Sequence, residues 1–248
     1  MPASDLVAIR DLRVGERGAP LLEGITLDVR KGEIVGVLGL AGAGKTSLLK
    51  AVLGLVAPTA GTVRLFGLPH DRPDARARLA YLPERFQPPG HLSGYGFVRL
   101  TLAFHGCHAR RPRIAGLAEQ LELERSALRR PVREYTKSMA QKLALVALLL
   151  TDRPLLVLDE PMSGLVPQAR RLVRHELAAE RARGRTILFA SGVPADHEGL
   201  CDRIALLHHG RLACLGTPEQ IEARYGAPSL HAALLAAIER VRPLAPAS

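Results

Sequence analysis

A glycine-rich stretch at residues 39–47 limits the possible folds of this chain more than any other feature. It follows the phosphate-binding pattern G-x-x-x-x-G-K-[ST], and its residues are Gly39, Leu40, Ala41, Gly42, Ala43, Gly44, Lys45, Thr46 and Ser47. An apolar run at 34–38 precedes it, as a strand would, and an apolar-periodic segment at 47–55 follows it, as a helix would. The pattern therefore predicts a strand, a phosphate-binding loop and a helix in direct succession, and it indicates nucleotide binding.

Each residue type in this stretch has a physical role. Gly39 and Gly44 are expected to adopt backbone angles that a side chain would forbid. Successive backbone N–H groups can then point inward and hold phosphate oxygens. The helix that begins at Lys45 adds the positive end of its dipole. We expect Lys45 to reach the outer phosphates and the Thr46 hydroxyl to bind Mg2+.

A second motif with phosphate chemistry lies at residues 155–160, where four apolar residues precede Asp159 and Glu160. Such a run is typical of a buried parallel strand that ends in carboxylates at its C-terminal edge, where open α/β sheets bind ligands. We expect Asp159 to hold Mg2+ through water. We expect Glu160 to polarise an attacking water as a general base or orienting group. For an isolated acidic pair, the alternative is a helix N-terminus with acidic caps.

Composition bounds the class of protein without deciding its function. At 248 residues the chain is one large domain or a domain with an inserted lobe, and 47% hydrophobic residues suffice for a sizeable core. The longest apolar run, 143–150, is too short to span a bilayer. The first residues lack a basic region followed by an apolar stretch, and the three cysteines form no metal-ligand spacing. These features predict a soluble, cytosolic chain with reduced cysteines.

The net charge of +10 comes mostly from arginine, with dense clusters at 110–113 and 170–174. A basic chain can bind nucleic acid or an anionic membrane surface, or can have no such partner. Aromatic residues do not interleave these clusters, so they offer no stacking platform for bases. Nucleic acid binding is therefore not favoured. We expect a solvated basic face, for which lipid headgroups are the candidate partner.

With both phosphate motifs in place, the chain resembles the ATP-binding subunit of ABC transporters nearly end to end. The segments that carry this resemblance, besides the two motifs, are the turn at 32–33, the segment 81–84 that leads to the family's Q-loop, the signature-like stretch 135–143, the D-loop-like stretch 161–165, the strand segments 201–204 and 209–212, and the tail from 228.

The resemblance implies an α/β fold of the P-loop NTPase class, with a RecA-like core, a small antiparallel β lobe and an inserted α-helical lobe. Residues 1–248 would form a single ATP-binding domain. Its core would comprise about 1–83 and 153–220, its helical insertion about 91–150, and its C-terminal helix about 228–242.

The resemblance also implies partners and cofactors. In the family, ATP and Mg2+ lie between two chains arranged head to tail, so that the signature stretch of one chain faces the P-loop of the other. Here Thr136 would supply a hydroxyl and residues 139–150 a helix, with Ser138 and Glu84 also near the nucleotide. Closure of a homodimer or heterodimer on ATP would drive a separate membrane permease from the cytoplasmic face of the membrane, and the closing helix favours export.

Departures from the family pattern indicate slow hydrolysis. Gly192 occupies the position of the H-loop histidine, and His197, five residues later, is not expected to substitute for it. Val166 replaces the D-loop aspartate, Ser138 the signature glycine, and Glu84 the Q-loop glutamine, near which Gln87 could compensate. The adenine ring also lacks an aromatic partner near Val14, where Arg13 or Arg17 could stack instead. The groups expected to bind ATP with Mg2+ and activate water, which are Lys45, Thr46, Asp159 and Glu160, are all present.

Three functional hypotheses follow. The first is the ATPase subunit of a membrane exporter. The second is a degenerate ATP-binding module, with little or no hydrolysis, that clamps or regulates a membrane complex. The third is a soluble ABC-type ATPase that acts on nucleic acid or ribosomes. The single P-loop and the absence of a heptad run count against the third.

Overall fold

The computed structural model describes residues 5–16 and 19–240, which form strands and helices in a mixed α/β arrangement. The strands are β1 (Asp5–Glu16), β2 (Ala19–Arg30), β3 (Ile34–Leu38), β4 (Ala60–Leu65), β5 (Leu68–Pro69), β6 (Leu79–Leu82), β7 (Leu155–Asp159), β8 (Thr186–Ser191), β9 (Arg203–His208) and β10 (Arg211–Gly216). The helices are α1 (Lys45–Val52), α2 (Pro73–Arg76), α3 (Gly94–Phe104), α4 (Arg111–Gln120), α5 (Lys137–Leu149), α6 (Pro167–Ala182), α7 (Pro194–His197), α8 (Pro218–Tyr225) and α9 (Leu230–Arg240).

A six-stranded sheet in the order β10-β9-β3-β8-β7-β6 forms the centre of the molecule, and its pairs are parallel except β9 with β10. Every residue of β3, β7 and β8 is buried, which explains why these strands are continuous apolar runs rather than alternating ones. Their carboxyl ends meet at one edge of the sheet. The glycine-rich loop after β3, Asp159 at the end of β7 and Ser191 at the end of β8 therefore all lie at that edge.

A second, antiparallel sheet has the order β2-β1-β4-β5. The burial of β1 and β2 alternates along much of their length, which is typical of strands with one face on a core and one toward solvent. Its inward face shares a hydrophobic cluster with α1 and with one face of the central sheet. The expected α/β class with a small antiparallel lobe is confirmed.

Between β6 and β7 the described chain is helical, and α3, α4 and α5 all lie within the predicted insertion at 91–150. These helices pack on the other face of the central sheet through a second hydrophobic cluster. At the C-terminal end, α9 covers 230–240, and the last two residues of the predicted helix, 241–242, lie outside the described residues. Over residues 5–16 and 19–240, no helix combines the length and the apolar character needed to cross a bilayer.

The middle of β3 lies directly against a buried histidine. A Cβ atom at Gly36 would lie 2.1 Å from Nδ1 of His197 and 2.7 Å from the sulfur of Cys201. The His197 ring stacks on Phe189, with centroids 4.7 Å apart, and its Nε2 lies 3.2 Å from the Ser191 carbonyl oxygen. Burial lowers the pKa of His197 to about 4, so the ring is neutral at physiological pH.

Candidate nucleotide-binding site

The glycine-rich loop leads from β3 into α1, as its sequence pattern predicts. Gly42 and Gly44 have φ angles of 79° and 103°, a region that favours glycine. Gly39 has a different role from the one expected, because its φ lies outside that region. A Cβ atom at Gly39 would instead lie 2.4 Å from the Leu207 carbonyl oxygen, so glycine is required there by close packing against β9.

The turn between β9 and β10 fixes the loop from the side. The Gly210 N–H donates to the Ala43 carbonyl oxygen at 3.0 Å, and the Gly210 carbonyl accepts from the Glu23 N–H at 2.8 Å. A cavity of about 330 Å³ lies over the loop, lined by residues 42–47, Pro20, Leu21, His209 and Gly210. Sequence reasoning missed Leu21 and His209 as walls of this cavity, since Leu21 belongs to no recognised motif and the segment 209–212 was recognised only as strand.

Lys45 lies on the inner side of the loop and is largely buried. Its Nζ donates to the carbonyl oxygens of Gly39 at 2.9 Å and Leu40 at 3.3 Å, and it lies 3.5 Å from Oε1 of Glu160. Since Lys45 is the first residue of α1, the N–H groups of the first helical turn surround the same cavity. The Lys45 ammonium, the backbone N–H donors and the positive end of the helix dipole therefore meet at the place where an anion would bind.

Asp159 is fully buried, and neither of its carboxylate oxygens accepts a hydrogen bond of normal geometry. Burial raises the pKa of the Asp159 carboxyl, and the nearby Thr46 hydroxyl opposes that rise. The charges of Glu84 and Glu160 raise this pKa further, while that of Lys45 lowers it. A buried carboxylate without a donor is costly unless a cation neutralises it, so the site is suited to a bound metal ion.

Asp159 and Thr46 offer the oxygen ligands that Mg2+ prefers, and they fit an ion that also takes water and phosphate oxygens. Among the described residues, no group of three or more His, Cys, Asp or Glu side chains could form a metal site made of protein alone. The residues present thus fit a magnesium ion that binds together with a phosphate ligand.

Glu160 extends from the end of β7 toward the loop. Its φ angle is 48°, a conformation that is uncommon for a residue with a side chain, and its N–H donates to the Ala190 carbonyl at 2.9 Å. Its Oε1 accepts a hydrogen bond of 3.0 Å from the Gly192 N–H. The carboxylate is consequently held between Gly192 and the Lys45 ammonium, with part of its surface accessible to water.

Position 192 has space for a Cβ atom. A Cβ atom there would lie 3.4 Å from the Gly39 carbonyl oxygen, 3.6 Å from Lys45 Nζ and 3.8 Å from Glu160 Oε1, all at or beyond ordinary contact. As the sequence analysis expected, His197 does not take the place of an imidazole here, because that ring is buried behind β3 and lies 3.2 Å from the Ser191 carbonyl oxygen.

The signature-like stretch lies at a different place from the glycine-rich loop. Thr136 caps α5, which begins at Lys137 rather than at the expected residue 139, and the Thr136 hydroxyl oxygen accepts from the Met139 N–H at 3.2 Å. The hydroxyl can still donate its proton outward. Ser138 is half-buried in the first turn of α5.

Thr136 and Glu84 line a cavity of about 690 Å³ that shares no lining residue with the cavity over the loop. Gln87 also lines this second cavity. Although Glu84 lies there, its negative charge raises the pKa of Asp159. The structure thus brings together Lys45, Thr46, Asp159 and Glu160, and it places Thr136 apart from them.

The proposed surroundings of adenine are only partly described. Arg13 is exposed, and its Nη2 lies 3.6 Å from Asp11. It lines a cavity of about 620 Å³ together with Val14 and Pro20, and Pro20 also borders the cavity over the loop. Within the described part of the chain, this cavity has no aromatic lining residue. Arg17 lies outside the described residues.

Known proteins give a consistent picture. A family model described as ABC transporter matches residues 22–163. An ABC transporter ATP-binding protein of Nostoc sp. is 37% identical over 81% of this chain, which spans only 61% of that relative. The Nod factor export ATP-binding protein I of Ralstonia nicotianae is 32% identical, over 88% of this chain and 69% of the relative. A solved structure of an ATP-binding subunit of an ABC transporter superposes with a TM-score of 0.85 at 30% identity, over 94% of this chain and 99% of that one.

Proposed function

Since this chain belongs to the ABC transporter family and has its P-loop NTPase fold, we propose that it binds ATP with Mg2+ and hydrolyses it to power a membrane exporter. One observation carries the catalytic part of this proposal. Glu160, in a strained conformation beside the phosphate-binding loop, has its carboxylate held by the Gly192 N–H and the Lys45 ammonium. A carboxylate so placed can orient a water molecule toward a phosphate at the loop.

The other residues of the site bind and align the nucleotide. The N–H groups of Gly42 and of residues 44–47, together with the Lys45 ammonium, would hold the phosphate oxygens. Thr46 and Asp159 would hold Mg2+, which when bound neutralises charge on the phosphates. Glu160 would accept a proton from the attacking water, or fix its direction, at Oε1 or Oε2.

We propose further that ATP is enclosed by a second ATP-binding chain. Thr136 lies in a cavity separate from the loop, so it does not complete the nucleotide site of its own chain. The hydroxyl proton of Thr136 and the N-terminus of α5 are both available to an anion. A head-to-tail pair would bring these donors of one chain to the phosphate bound by the other, whether the second chain is a copy or a homologue.

The membrane partner and the direction of transport complete the proposal. The Ralstonia relative is named for Nod factor export, and by that analogy we assign this chain to an exporter. An integral-membrane permease would carry the cargo and its selectivity. This chain would bind to that permease at the cytoplasmic face of the membrane.

A binding-only role is the second candidate, and the Gly192 position favours it. Without an imidazole between Lys45 and Glu160, no side chain at that position senses the outer phosphate. Ser138 and Val166 further replace a glycine and an aspartate of the family pattern. In this role, ATP would close the dimer and phosphate would not be released.

Steady-state phosphate release from ATP separates the two candidates. The purified chain would be compared with Lys45→Ala, alone and with a multi-helix membrane protein that co-purifies with it. Turnover above that of Lys45→Ala that falls by about an order of magnitude or more in Glu160→Gln, without vanishing, supports the hydrolase. Bound ATP and ATP-dependent dimerisation without turnover in either state would favour the binding-only module.

A further inference from the structure

A buried chain of polar side chains connects the loop after β8 with the loop after β7. Ser191 and Asp196 are 1% and 4% exposed, respectively. The Ser191 hydroxyl donates to Oδ2 of Asp196 at 2.7 Å, and Oδ1 of Asp196 accepts from Nη1 of Arg170 at 2.9 Å. Polar groups buried to this degree are expected to be paired, but pairing alone does not explain why they connect these two loops.

Arg170 also bonds to the loop after β7. Its Nε donates to the Leu165 carbonyl oxygen at 3.2 Å, five residues beyond Glu160. The Arg170 guanidinium therefore donates to two acceptors, Asp196 in α7 after β8 and the Leu165 carbonyl in the loop after β7. A lysine could not do so in the same way, because its ammonium is a single point of donation on a flexible stem.

The other end of the chain lies at Gly192. The Ser191 hydroxyl oxygen accepts from the Val193 N–H at 3.1 Å. This bond joins the two residues on either side of Gly192. Glycine has the greatest backbone freedom of any residue, and here its N–H is the donor that holds Glu160. The direction of that N–H thus depends on the Ser191 hydroxyl, which Asp196 and Arg170 hold in turn.

We propose that Arg170 is a positioning residue for Glu160, acting through Asp196 and Ser191 to aim the Gly192 N–H at the carboxylate. This inference rests on the proposed hydrolase function. In this site the network holds Glu160 through the backbone N–H of residue 192, which has no side chain. Because Arg170 also holds the Leu165 carbonyl, the network closes on the same loop that carries Glu160.

The test compares Arg170→Lys with Arg171→Lys, a matched control on the same helix whose side chain is exposed. Arg170→Lys should lower kcat for ATP by about tenfold, the size of one hydrogen bond lost from the reacting geometry. The KM for ATP should match that of Arg171→Lys, whereas the melting temperature should fall by a few degrees because a buried hydrogen bond is lost. Ser191→Ala, a smaller change, should lower kcat similarly and serves if Arg170→Lys does not fold.

A double-mutant cycle distinguishes positioning from general support of the fold. In the Glu160→Gln background, adding Arg170→Lys should leave the residual rate unchanged, because the carboxylate that it positions is already absent. The inference is overturned if kcat is unaffected, or if it falls by the same factor in both backgrounds. If the wild-type chain shows no turnover above Lys45→Ala, the proposed hydrolase fails and this role fails with it.

Discussion

Introducing an imidazole at position 192 should speed up ATP hydrolysis. In Gly192→His, the new Cβ would lie 3.4 Å or more from its neighbours, and Gly192 is not in the left-handed region, so the substitution requires no backbone strain. The new ring would extend from a point 3.8 Å from Glu160 Oε1 and 3.4 Å from the Gly39 carbonyl oxygen of the phosphate-binding loop. With Lys45 Nζ only 3.6 Å from that Cβ, the ring should remain neutral and donate through one N–H.

The expected gain in kcat follows from the contribution of one hydrogen-bond donor to stabilising the charge that develops in the transition state. Removing one such donor commonly lowers the rate by about 10²–10³-fold. The introduced ring is not held by packing that evolved around it, so part of this benefit is lost. We expect kcat to rise by about 10- to 100-fold, equivalent to about 1.4–2.7 kcal/mol of barrier.

The assay is steady-state phosphate release at saturating ATP and Mg2+. Gly192→Ala is the control, because it adds the Cβ and the backbone restriction without the imidazole. Gly192→Ala should hydrolyse ATP no faster than the wild type. An unchanged or lower kcat for Gly192→His, or an equal gain for Gly192→Ala, would refute the reasoning that this position lacks a useful donor.

Three further predictions concern the metal, the buried histidine and the loop. Asp159→Asn should remove most of the difference in ATP affinity between Mg2+ and EDTA, as measured by titration calorimetry, and an unchanged difference would contradict the assigned metal role. Because the pKa of His197 is lowered from 6.5 to about 4, the unfolded state binds the proton more tightly, and stability present above pH 6.5 is lost as the pH falls toward 4. Urea unfolding should show a loss of about 2 kcal/mol between pH 7 and pH 5 that is smaller in His197→Gln, and equal losses in both proteins would contradict the assignment. Gly44→Ala, with φ at 103° and a Cβ 2.9 Å from Leu22, should weaken ATP binding more than tenfold, whereas Gly116→Ala, with nothing near its Cβ, should not. Equal affinities of these two variants in the same titration would show that the loop tolerates the change.

The parts of the molecule that the sequence predicted are those in which neighbours along the chain determine the structure. The strand, loop and helix around 39–47 follow from apolar periodicity and glycine spacing within one short stretch. The same holds for β7 and the carboxylates that end it. The α/β class was implied by the family resemblance that these two units carry.

What the sequence did not predict depends on elements that are distant along the chain. Gly39 is required because Leu207 of β9 approaches it, and His209 faces the loop only because β9 and β3 are adjacent. The Gly192 N–H has no residue-type signature at all, since a backbone donor is present at almost every position. Its contact with Glu160 exists because β7 and β8 are paired in register and end together.

The packing of His197 against Gly36 has a consequence for directed evolution of this protein. The imidazole fills the volume that the first side-chain carbon of residue 36 would need. A library that randomises position 36 alone should therefore return glycine. A library that randomises positions 36, 197 and 201 together should recover alanine at 36 only with a smaller residue at 197 and with Cys201, whose sulfur lies 2.7 Å from the same point, replaced or displaced, so position 36 can change only after its neighbours.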